Sequence, residues 1–154
     1  MTINSSTLLS DTVIAIRNDL RNNIVDPLAT SRPDGEKFVM TSYPKRNIIY
    51  PLITIKGKVV GDKPLGQQSN QRLVSLSIEV RVWARNVKER DVLNDSVYYR
   101  MKQNNFPAST SNTWTNLQLF DFGLNSTMDI EPDIDGEEVH KDRIMIFRYA
   151  YIAT

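Results

Sequence analysis

The chain contains no cysteine and only one histidine, His140, among its 154 residues. Without cysteine there is no disulfide, no thiolate nucleophile and no cysteine-bound zinc. One histidine leaves little from which to assemble a Ser-His-Asp triad, and no G-x-S-x-G elbow presents a serine for one. His140 stands in a charged turn beside Lys141, where a solvated histidine is expected. Long apolar runs are missing as well: none approaches the roughly 20 residues that cross a bilayer. The opening stretch MTINSSTLLSDT lacks the basic start and apolar core of a signal peptide, so a reducing cytoplasm is the expected place of synthesis. Phosphate cradles are absent too. Gly61 and Gly66 have the spacing of a P-loop, but Gln67-Gln68 stands where lysine and a hydroxyl are required.

No charge of either sign dominates, since the net charge is +1. Its distribution is uneven. Residues 45–102 hold twelve Lys/Arg against five Asp/Glu, whereas residues 103–154 hold three against eight. A basic middle and an acidic end favour attraction between copies, plus to minus, unless folding intermixes the charges. With 40% hydrophobic and 24% charged residues the chain reads as one globular domain, residues 1–154.

Leu9, Val13, Ile16 and Leu20 recur at helical spacing and predict an amphipathic helix, capped by Ser5, Ser6 or Ser10 and stopped by Asp26-Pro27. VDPLATSRPDG is turn chemistry. Strands are expected over KFVMTSY and IIYPLITIKGKV, followed by a polar loop from Gly61 to Asn70. In the Tyr50-Pro51 pair, Pro51 has no amide hydrogen to give, which suits a strand start or a sheet edge. Tyr50 would then pack at the end of the sheet. The clearest strand is LVSLSIEVRVWAR. Val74, Leu76, Ile78, Val80, Val82 and Ala84 point one way, and Ser75, Ser77, Glu79, Arg81 and Trp83 the other. Helical spacing returns from Asn86 to Asn104 through Leu93, Val97 and Met101. Two last strands, LQLFDFGLNSTMDI and RIMIFRYAYIA, flank the acidic turn EPDIDGEEVHKD. The expected fold is α+β: an antiparallel sheet of four or five strands with two helices packed on one face, in the order α-β-β-β-α-β-β.

The stretch from Asp129 to Asp142 holds seven of the eighteen acids. Glu131, Asp133, Asp135 and Gly136 imitate positions 1, 3, 5 and 6 of a calcium loop, with Asp142 at position 12. The match is flawed by Pro132 at position 2, by Asp where a bidentate Glu is needed, and by strand-like flanks. A hairpin with Asp135-Gly136 at its tip accounts for the same residues. A metal nuclease would need an acid two residues before Lys141, where Val139 stands. Neither a metal nor another cofactor is expected. Lys56, Lys58, Lys63, Arg81, Arg85, Lys88 and Arg90 are available to phosphates, but no aromatic ladder accompanies them. Trp83, on the wetter face, is expected to lie under a neighbouring loop or subunit.

The succession of an N-terminal amphipathic helix, Tyr50-Pro51 before a strand, a polar loop with Leu65-Gly66, a long strand ending Val82-Trp83-Ala84, a helix opening near Asp91-Val92-Leu93 and a closing strand pair spans nearly the whole chain. In this it resembles the tail-completion and tail-terminator proteins of long-tailed phages and their neck-region relatives, through an order of elements with short motifs. The resemblance implies a structural virion protein, not an enzyme, made in the host cytoplasm without membrane contact. It implies a subunit of a ring, usually sixfold, that caps the tail tube and meets the head connector, with viral DNA passing through the lumen without specific contact. An acidic lumen would keep phosphates off the wall. Length and polarity mark Lys63, Pro64, Leu65 and Gln67 in one loop, and Asp133, Asp135, Glu137 and Glu138 in the other, as contacts with neighbouring copies or the tube. The other reading, a calcium-binding or nuclease-like domain, would use residues 129–142; a different neck or head-closure adaptor is a third.

Overall fold

A computed structural model describes residues 6–32, 38–44, 48–103, 119–130 and 140–153. In chain order the elements are α1 (Leu8–Asn23), β1 (Val39–Met40), β2 (Leu52–Pro64), β3 (Arg72–Ala84), α2 (Val87–Gln103), β4 (Phe120–Ile130) and β5 (Lys141–Ala153). The strands form one sheet in the order β1-β2-β3-β5-β4. Both helices cover the same face, so the expected α+β architecture and element order are found.

Alternation in β3 decides which face is covered. Val74, Leu76, Ile78, Val80, Val82 and Ala84 are all buried and join the core with Ile16 and Leu20 of α1 and Leu93, Val97 and Met101 of α2. From β5 come Met145, Phe147, Tyr149 and Tyr151, again every second residue. The intervening residues of β3 are half-buried and face away from the helices. Helix α1 begins after Thr7 rather than at a serine cap, and the Thr7 hydroxyl bonds the Asp11 carboxylate at 2.6 Å. It stops when Ile24 turns extended, ahead of Asp26-Pro27. Helix α2 is capped by Asn86, whose side chain accepts from the Glu89 amide at 2.9 Å; the Glu89 carboxylate in turn accepts from the Arg85 amide at 3.0 Å. Reciprocal bonds of this kind satisfy donors that the first turn leaves free. No helix among the described residues is long and apolar enough to cross a membrane.

The sheet departs from expectation in two places. It is mixed, because β1 runs parallel to β2, with Val39 opposite Ile53 and Met40 opposite Thr54. The expected strand KFVMTSY is reduced to those two residues. Arg21 of α1 donates to the Val39 carbonyl at 2.7 Å, and Tyr43 leaves the sheet edge to pack on Trp83. The second departure concerns the Gly61–Asn70 loop. Strand β2 continues to Pro64, paired with β3 as far as Pro64 opposite Arg72, and a bulge between Val59 and Gly61 takes up the extra residue. Only the segment from Leu65 to Gln71 turns, closed by a 3.0 Å bond from the Leu65 amide to the Gln71 carbonyl.

At Gly57 the side chains of α1 close directly on the sheet. A Cβ there would lie 2.8 Å from Val13 and 2.9 Å from Leu9. Gly57→Ala is expected to destabilise the fold by about 1–3 kcal/mol through overpacking, measurable by urea unfolding.

Candidate functional site

The residues marked in the sequence fall in two stretches of the chain. Lys63 and Pro64 end β2, and Leu65 and Gln67 lie in the exposed turn that follows. Asp133, Asp135, Glu137 and Glu138 lie outside the described residues, as does most of the proposed calcium loop. Their flanks, Ile130 and Asp142, sit opposite each other in register, as the expected strand pair requires. Asp142 is level with Trp83, which is level with Leu52, whereas the β2–β3 turn lies at the end occupied by Ala153. The two marked regions therefore leave opposite ends of the sheet, about 35 Å apart along strands that rise ~3.3 Å per residue. Among the described residues, no group of three or more His, Asp and Glu is placed to hold a metal.

The end near Asp142 carries a cluster that the sequence reading missed. Asp142 is completely buried, and its carboxylate accepts from both Nε and Nη2 of Arg81. Its other oxygen lies 2.6 Å from Nδ1 of His140. The Arg81 guanidinium lies 3.6 Å over the Trp83 ring, and Trp83 Nε1 donates to the Thr54 hydroxyl at 3.0 Å. Tyr43 also packs on Trp83, 4.5 Å away between ring centres. The Tyr43 and Tyr50 hydroxyls share a hydrogen bond of 2.6 Å. Burial, reinforced by that bond, pushes the Tyr50 phenol far above its ordinary range, so it stays protonated at any physiological pH. Trp83 is thus covered by neighbouring segments of its own chain, one of the two covers expected for it.

His140 is not the solvated turn residue expected. It is half-buried, with its ring 5.1 Å from Tyr50 and 5.3 Å from Trp83. A carboxylate on Nδ1 orients an imidazole as in a catalytic triad. Among the described residues, however, no hydroxyl bonds the remaining nitrogen, and the rings around it are aromatic. The arrangement ties the segment carrying Tyr43 and Tyr50 to β3 and β5.

A second clamp holds the same segment. Arg32, nearly buried, grips the Asp26 carboxylate at 2.7 and 2.9 Å and donates to the carbonyls of Pro51 and Ile49 at 2.8 and 3.2 Å. The peptide between Tyr50 and Pro51 is cis. Burial alone would raise the Asp26 carboxyl, but Arg32 and the Leu28 amide hold it below the ordinary carboxylate value. A carboxyl lowered in the folded state contributes stability that is complete above the unfolded value and lost as pH falls through the folded one. An acid titration of unfolding free energy should therefore fall less steeply below about pH 4 in Arg32→Leu than in the parent chain.

Folding intermixes only part of the charge. Arg81 pairs with Asp142, Arg85 with Glu89, and Arg90 with Asp91 and Asp129. Lys56, Lys58 and Lys63 stay exposed along β2, and no ion pair among the described residues engages them. On the far side of the sheet, β4 exposes Phe120, Leu124 and Met128. The sequence reading makes it one of two closing strands, and the sheet order places it at an edge.

No model of a known protein family matches the chain. A search of curated proteins likewise finds no significant relative.

Proposed function

We propose that the chain is a structural virion subunit that assembles with copies of itself into a ring at the neck or tail end of a long-tailed phage. In this reading it caps the tail tube, meets the head connector and leaves a lumen through which DNA passes. The observation that carries the proposal is a sheet sealed on one face by both helices and, among the described residues, open at its two lateral edges, the outer part of β2 and the whole of β4. A subunit that repeats head to tail needs two unlike surfaces on opposite sides, and closes into a ring when the rotation per copy divides a full turn. The charge layout supports it: no ion pair among the described residues engages Lys56, Lys58 and Lys63 on one edge, and the other edge carries the exposed Asp121.

Light scattering after size-exclusion chromatography tests the reading, with the protein alone and mixed with polymerised tail-tube protein. A discrete closed oligomer, free or on tube ends, is the expected result. A monomer under both conditions would overturn it. A monomer whose melting temperature rises with added calcium would point instead to a metal-binding domain built on residues 129–142.

A further inference from the structure

We infer that neighbouring copies join by continuing one sheet: β4 of one copy adds antiparallel to the outer part of β2 of the next. The inference rests on the ring reading above and names its contact.

Each edge offers a run of backbone. On β2, strand β1 covers only Ile53 and Thr54, so the stretch from Ile55 to Pro64 has no described partner on its outer side. On β4, eight of the eleven residues have partners on β5, with irregularities between Phe120 and Gly123 and between Leu124 and Ser126, and no described residue pairs with its other side. Unpaired N–H and C=O groups on an edge strand are a template for another strand. The two open runs have nearly equal length.

Their side chains differ, and the difference selects the partner. Outer β2 carries Lys56, Lys58 and Lys63, a bulge and a terminal proline. These features keep an edge from pairing with its own kind, because lysines would face lysines. Strand β4, FDFGLNSTMDI, has no lysine, arginine or proline; it carries Asp121 and Asp129 and exposes Leu124 and Met128 at 39% and 57%. Set against β2 with the two runs aligned, it brings the exposed Asp121 level with Lys63 and its apolar side chains near the exposed Val59 and Val60, while Asp129 stays with Arg90 and Arg143 of its own chain. Two copies of β4 would gain no such complement. The contact is therefore heterologous, which suits a ring rather than a two-fold dimer.

Strand direction agrees. From β2 to β3 to β5 to β4 each neighbour is antiparallel to the last. A copy placed beside β4 by simple rotation presents its β2 in the antiparallel sense, so the alternation carries across the joint. Strand β1 blocks the inner end of β2 and so confines the overlap to the lysine-bearing part.

Because the chain has no cysteine, engineered thiols report the contact without background. Ser126→Cys or Thr127→Cys on one copy is mixed with Val59→Cys or Val60→Cys on the other and oxidised. Disulfide-linked pairs in the mixture, with none from either variant alone, are expected. Met128→Lys should weaken self-association about tenfold or more at unchanged melting temperature, and Lys58→Glu in the same chain should recover part of the loss. Cross-linking of the β4 variants alone would overturn the inference in favour of a two-fold contact. A ring that forms with no cross-link in any mixture would overturn the inference and leave the ring reading standing. A monomer under every condition, tubes included, would remove both.

Discussion

Replacing Asp142 by asparagine is expected to cost about 3–5 kcal/mol of folding stability, the range found when one partner of a buried ion pair is removed. The carboxylate has no solvent exposure and serves two partners at once, Arg81 through two nitrogens and His140 through one. Asparagine keeps the shape but not the charge, and the Arg81 guanidinium is then held against Trp83 without its counter-ion. In a domain of this size about 1 kcal/mol corresponds to roughly 2–4 °C, so the melting temperature should fall by roughly 10 °C. Thermal and urea unfolding both read this out. A companion variant, Arg81→Met with Asp142→Leu, removes both charges together and should recover most of the loss. A cost below about 1 kcal/mol for Asp142→Asn would mean that the network behaves as an exposed ion pair.

Arg100→Ala is expected to have the next largest effect, about 3 kcal/mol. Arg100 of α2 reaches Asp19 of α1 with both ends of its fork, at 2.9 and 2.7 Å, and the Asp19 side chain is only 4% exposed. This pair joins the two helices above the sheet. Arg100→Lys retains the positive charge but not the two-pronged geometry, so it should recover less than half of the loss. A double-mutant cycle with Asp19→Asn isolates the pair; a coupling of at least about 1 kcal/mol is expected for residues in direct contact. Coupling near zero would show that the cost of Arg100→Ala arises from lost packing of its stem.

The sequence was most legible where burial is one-sided. Leu9 to Leu20 and Leu73 to Ala84 each repeat with the period of their element, and both faces came out as read. Legibility failed where pairing, not pattern, decides. The end of β2 from Gly61 to Pro64 carries glycine, charge and proline, so it reads as loop until β3 is known to lie beside it. Strand β1 was shortened by contacts from Arg21 and Trp83, far away in the chain. The aromatic and ionic cluster draws on Tyr43, Tyr50, Arg81, Trp83, His140 and Asp142, which share no local spacing. His140 looked solvated because its neighbours are charged, yet Asp142 belongs to β5 and lies level with Trp83. Of the residues marked as contacts, Leu65 and Gln67 do occupy an exposed turn, whereas Lys63 and Pro64 still belong to β2. The β4 edge was hidden because nothing in FDFGLNSTMDI states which strand lies beside it.

The two ends of the sheet are also thermodynamically separate. The turn after Pro64 and the Asp142 cluster share no described contact and lie far beyond the 7–10 Å or so within which substitutions couple. Stability changes made at one end should add to those made at the other. Each end can therefore be redesigned on its own: the turn exchanged for a shorter one while the cluster holds the Tyr43–Tyr50 segment in place, or the reverse. A molecule built this way can acquire a new neighbour at one end without renegotiating the other.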